Sequence, residues 1–133
     1  WAFSIAGIDI VHAMAHSIGA IAHVPHGYAN GMLLAECMEF NLESCPDAYA
    51  MVAEAFGIRE RGMDDLDAAS AAVRALKEFT KTIGHPQRLS EFKVNEDDIA
   101  KAAELSLSDG CILNNPRMVF DSSEVLEIFR KVL

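Results

Sequence analysis

The chain has 133 residues, 51% hydrophobic and 23% charged, with 8 glycines and 4 prolines; this composition excludes the disordered, collagenous and low-complexity classes and fits a single domain, 1–133, around one core. Its 20 acidic and 11 basic residues give a formal charge of -9. That balance excludes sequence-independent nucleic-acid binding and disfavours an anionic membrane surface, since both need clustered Lys and Arg.

Cys37, Cys45 and Cys111 are odd in number and lack a CxxC spacing. No disulfide framework is expected, and a reducing, cytoplasmic setting fits better. The chain opens at Trp1 without a methionine and without a basic segment leading into an apolar run. Processing or a chain boundary within or just before a helix is the expectation there.

The first predicted helix covers 8–22 and the second 26–41, with Val24-Pro25-His26-Gly27 as the break between them. Gly7, Gly19, Gly27 and Gly31 interrupt these apolar runs, each at a cost of about 1 kcal/mol relative to Ala inside a helix, which points to close packing or a site. The nearly uncharged stretch 13–34 carries His16, His23, Pro25, His26 and Asn30. It is therefore not a simple lipid-facing span.

Four of the five histidines, His12, His16, His23 and His26, fall in this region. His12 and His16 are four residues apart and share a helix face, about 40 degrees apart around the axis, so both imidazoles can reach one site. Imidazole suits Zn, Fe, Cu and Ni. A metal site, acid–base chemistry without metal, and structurally satisfied histidines all remain open on spacing alone. The zincin motif is excluded, because Ala13 stands where its general-base Glu would be.

A shorter helix is predicted over 46–56, with Pro46 at its first turn and Gly57 ending it. The helix over 65–84 can be capped by Asp64 or Asp65 and carries Leu66, Ala69, Val73, Leu76, Phe79 and Ile83 at three- and four-residue steps. Such a stripe is expected to face the core, and Gly84 followed by Pro86 stops the helix. The segment 85–94 reads as a polar loop, with His85 solvated. Asn95 caps the next helix, 95–109, ahead of the acidic first turn Glu96-Asp97-Asp98. Asp121 with Glu124 three residues on is a capping-box pattern that opens the last helix, which buries Val125, Leu126, Ile128, Phe129 and Val132. No segment alternates apolar and polar residues, so the fold class is all-α, a bundle-like multi-helix domain.

The run Gly7-Ile-Asp-Ile-Val-His12-Ala-Met-Ala-His16-Ser-Ile-Gly19-Ala, followed by Val24-Pro25-His26-Gly27-Tyr-Ala29-Asn30, resembles the signature of the iron-containing (group III) alcohol dehydrogenases. Cys111-Ile-Leu-Asn-Asn115-Pro116-Arg117 is similar to that family's C-terminal segment. The resemblance implies the helical C-terminal domain of the dehydroquinate synthase-like fold, whose partner is an N-terminal dinucleotide-binding domain absent from this chain. Leu33-Leu34 is followed by Ala35, whereas the family commonly has Pro there.

What the resemblance implies for the site is specific. His12 and His26 match two metal ligands, for Fe(2+) or Zn(2+), and the family's other two ligands, an Asp and a His, lie upstream. His16 becomes a catalytic group beside the nicotinamide of NAD or NADP, and Cys111 matches a position lining the same cofactor. His23 has no carried-over role. The implied substrate is a small alcohol or aldehyde, a homodimer is a candidate assembly, and the fragment alone is expected to be inactive. The rivals are a free-standing histidine-cluster metal-binding module and a helical interaction domain without metal.

Overall fold

The computed structural model describes residues 7–133; the expectation about the chain start at Trp1 lies outside them. All regular structure among the described residues is helical: α1 (Ile10–Ala22), α2 (His26–Asn41), α3 (Pro46–Ala55), α4 (Asp65–Thr82), α5 (Glu96–Ser106) and α6 (Ser122–Lys131), with 3-10 turns at Leu89–Phe92 and Gly110–Asn114. None of these helices is long and apolar enough to cross a membrane.

Local chemistry sets most of the helix starts, because each start leaves backbone N–H groups that a side-chain oxygen can accept. The carboxylate of Asp9 accepts from the Val11 N–H at 3.1 Å, Asp64 from Asp67 at 2.8 Å and Asp121 from Ser123 at 2.8 Å. At α5, Asn95 and Asp98 form a reciprocal capping box. The box expected of Asp121 and Glu124 does not form. Glu124 instead accepts from the Phe120 N–H at 2.8 Å and pairs with the Arg117 guanidinium at 3.0 Å, so it fastens the segment preceding α6.

The main core is built around α1. Ile10, Met14 and Ile18 are fully buried beside Leu33 and Cys37 of α2, Ile99 of α5, and Val125 and Phe129 of α6. α1 packs on α5 with Ala13, Ala102 and Ala103 buried, and the Ser106 hydroxyl donates to the Ala102 carbonyl at 2.7 Å and lies 3.5 Å from that of Ala13. Short side chains let two backbones approach closely while each buried hydroxyl keeps a partner.

α3 and α4 form a hairpin with a satellite core of Ala50, Ala53, Ala68 and Ala72. The stripe expected on α4 is only partly internal: Ala69 and Val73 are buried, whereas Leu66, Phe79 and Ile83 are exposed. The reason is that the alanine face, offset from the stripe, packs on α3, leaving Phe79 only an edge contact with Phe56 at 6.2 Å. Two further expectations need correcting. Segment 85–94 is not merely a polar loop, since it contains a 3-10 turn whose Leu89 is fully buried and whose Leu89 N–H donates to the Val132 carbonyl at 2.7 Å. The fifth helix stops at Ser106, three residues short of its expected end.

One backbone feature aims α2 at α1. His23 ends α1 in the left-handed conformation, φ 56° and ψ 28°, with its N–H donating to the Gly19 carbonyl at 3.0 Å. Val24 then buries and Pro25 starts α2. A β-branched residue disfavours this backbone region, whereas Asn tolerates it. His23→Val should therefore lower unfolding stability by about 1–2 kcal/mol while His23→Asn leaves it near that of the parent chain, as measured by urea denaturation.

Candidate metal and proton-transfer site

The turn at His23 brings three imidazoles together. His12 and His16 lie on successive turns of α1 with ring centroids 5.9 Å apart. His26, in the first turn of α2, sits 5.5 Å from His12 and stacks on His16 at 5.3 Å and 18°. His12 and His26 border a cavity of about 670 Å³, together with Val11, Asn30, Leu34 and Pro116. Burial, then the neighbouring His26 and His16 rings, lower the pKa of His12 below its ordinary value. Both effects favour the neutral imidazole, which is the form that ligates metals.

Asn30, one turn beyond His26, donates through Nδ2 to the His26 carbonyl at 2.9 Å. Its Oδ1 is buried without a hydrogen-bond partner. Such an acceptor is costly to leave unpaired.

His16 faces a second, smaller cavity of about 280 Å³ that Ala20, Leu105 and Asp109 also line. Its Nδ1 lies 2.8 Å from Asp109 Oδ2, while Asp109 Oδ1 accepts from the Cys111 N–H at 2.9 Å. Hydrogen bonds from the Cys111 side chain and backbone, then from His16, hold the Asp109 carboxyl at about 2. Burial, reinforced by the adjacent carboxylate, pushes the Cys111 thiol up to about 11. An ionised carboxylate can only accept, so the hydrogen bond between His16 and Asp109 places a proton on His16 Nδ1. Cys111 itself stays a protonated thiol at neutral pH.

Sequence reasoning missed Asp109, placing it at the end of a helix. The structure shows it three residues past α5, capping the turn that carries Cys111. An Asp-Gly pair after a helix was the available signal, but its contact with His16 spans 93 residues. His85 also departs from its solvated expectation. It is half-buried, its Nδ1 2.7 Å from the Pro86 carbonyl, with its ring edge-on to Tyr28 at 5.6 Å. That ring fills the space a Cβ on Gly31 would need, which explains the glycine inside α2.

The Asn115-Pro116-Arg117 segment is fastened to α2. Asn115 and the buried Asn41 exchange two side-chain amide hydrogen bonds of 2.8 Å, and the Arg117 guanidinium lies 4.0 Å over the Phe40 ring. Pro116 is thereby held against the histidine cavity.

A family model described as Fe-containing alcohol dehydrogenase family, C-terminal, matches residues 1–133. The chain belongs to the iron-containing alcohol dehydrogenase family. It is 39% identical over 130 residues to 1,3-propanediol dehydrogenase of Citrobacter freundii, covering 98% of this chain and 33% of that protein. Lactaldehyde reductase of Escherichia coli K12 is 36% identical over 115 residues, covering 86% and 30%. Among solved structures, a 1,3-propanediol oxidoreductase superposes with a TM-score of 0.94 at 39% identity, over 99% of this chain and 34% of the other. An alcohol dehydrogenase from Oenococcus oeni gives 0.92 at 31% identity, with the same coverage. The chain thus spans about a third of the length of these relatives. The all-helical fold is that of the C-terminal domain of iron-containing alcohol dehydrogenases.

The packing of His85 on Gly31 is directly testable. Gly31→Ala should cost about 1–3 kcal/mol by overpacking, and adding His85→Ala should restore most of the loss in thermal or urea unfolding.

Proposed function

We propose that this chain is the metal-holding, helical part of a cytoplasmic NAD(P)-dependent alcohol dehydrogenase that interconverts a small alcohol and its carbonyl product. The carrying observation is the convergence of His12 and His26, from two helices, on one wall of the larger cavity, in a chain of this family. One relative, from Bacillus methanolicus, is named an NAD-dependent methanol dehydrogenase.

The residues fit a divalent ion. The surroundings of His12 lower its pKa and so favour its neutral, ligating form. In this reading His12 and His26 supply two nitrogen ligands and residues upstream of the chain complete the set, a donor mixture that suits both Fe(2+) and Zn(2+). Bound there, the ion supplies Lewis acidity to the substrate oxygen.

The chain's own side chains do the rest. Val11, Leu34 and Pro116 give the larger cavity apolar walls that exclude water from the reacting carbon. Asp109 holds the His16 imidazole through Nδ1 and so orients its Nε2 as the acceptor for the proton released as the alcohol becomes a carbonyl. Cys111, neutral and beside Asp109, lines the nicotinamide side with His16. The phosphates of NAD or NADP are gripped by the upstream dinucleotide-binding domain, which is why an acidic chain of formal charge -9 can serve an anionic cofactor.

The test compares the full-length enzyme with the 133-residue chain. His16→Gln in the full-length enzyme should lower kcat for alcohol-dependent NAD(P) reduction by about 10²–10⁴-fold, with bound metal retained. The chain alone should reduce no NAD(P). Robust turnover by the isolated chain, or full activity of His16→Gln, contradicts the proposal.

A further inference from the structure

We propose a second divalent-cation site, separate from the His12 and His26 pair, formed by His16, Asp109 and Cys111 and taking a borderline-soft ion such as Zn(2+). One nitrogen, one carboxylate oxygen and one thiol sulfur from these residues all lie within 4.8 Å of one another. No two of the three are adjacent in sequence. His16 comes from α1, and Asp109 and Cys111 from the turn after α5.

The donor set is selective. Nitrogen, oxygen and sulfur in a compact trio are what Zn(2+) accepts in four-coordinate sites, leaving one position for water. Hard ions such as Mg(2+) and Ca(2+) prefer oxygen shells and gain nothing from the thiol. The trio is also arranged before any ion arrives. Asp109 is anchored by the Cys111 N–H at 2.9 Å, and its second oxygen already faces His16 Nδ1 at 2.8 Å. An ion entering there takes the place of the shared proton, and while bound it excludes the proton-accepting role proposed above for His16.

The proton balance is simple. His16 binds through Nδ1, and the proton held there moves to Nε2 or, where Nε2 already carries one, leaves to solvent. The Cys111 thiol loses one proton to solvent as the sulfur–metal bond forms, and Asp109 is already ionised. No oxidant or reductant is involved.

This site differs from the family centre in one measurable respect, its sulfur ligand. Neither His12 nor His26 brings a thiol to the larger cavity wall. Cys37 is fully buried, and the Cys45 sulfur lies 3.6 Å from the Asn41 carbonyl. Cobalt(II), a spectroscopic substitute for zinc, gives intense thiolate-to-metal charge-transfer absorption only when sulfur is bound. The binding proposed here does not depend on the dehydrogenase reading, because its readout is absorption by the unmodified 133-residue chain.

Titration of the reduced chain with Co(2+) should produce that absorption at one ion per chain, and Zn(2+) should abolish it by displacement. Cys111→Ser should eliminate the band and Cys45→Ser should leave it. His16→Ala and Asp109→Asn should each weaken binding by at least the about ten- to hundredfold loss seen when a metal site loses a supporting partner, while His12→Ala and His26→Ala leave the band in place. Circular dichroism melting of each variant separates lost ligation from lost folding, and Cys111→Ser is a near-isosteric change. Absence of the band in the parent chain overturns the site. So does a band that survives Cys111→Ser, or one that His12→Ala removes while Asp109→Asn does not.

Discussion

The packing of α2 back against α1 is the constraint on which the rest depends. It is set by a short turn in which His23 takes a left-handed backbone and Pro25 starts the next helix. A helix alone could align His12 with His16, because four residues complete little more than one turn. Only the reversal places His26 within 5.5 Å of both rings. The rings are then held by scaffold that has nothing to do with their chemistry: the buried Ile10, Met14 and Ile18 on the far side of α1, and the small-residue contact of Ala13 with α5.

Around that convergence the molecule makes two chemically different environments. On one side, His12 and His26 face a wide, largely apolar cavity, where burial and the neighbouring rings lower the pKa of His12. On the other, His16 turns to an anionic partner that fixes its proton. In the proposed function the first environment would supply ligand nitrogens and the second an oriented proton acceptor. The scaffold separates the two roles by a single helical turn.

Much of this was legible in the sequence, for reasons that are local. Asp64, Asn95 and Asp121 announce helix starts because a cap acts within three residues of its target. The histidine spacing and the Val-Pro-His-Gly break likewise lie within one stretch of chain. What stayed hidden is non-local. Asp109 meets His16 across 93 residues, and Asn41 finds Asn115 across 74. His85 packs half-buried against a glycine of α2. The hydrophobic stripe of α4 misled for a related reason: Leu66 and Phe79 have the right period, but alanines on an offset face gave α3 the closer approach. Periodicity reports which residues share a face, not which face a neighbour selects.

The central claim is that His12 and His26 hold a catalytic divalent ion while their neighbour His16 does not. Iron and zinc content of the full-length enzyme, purified anaerobically and measured by elemental analysis, tests it most directly. The account predicts near-stoichiometric iron or zinc in the parent and in His16→Ala, and loss of most of it in both His12→Ala and His26→Ala. Full content of that metal in His12→Ala or His26→Ala would contradict it.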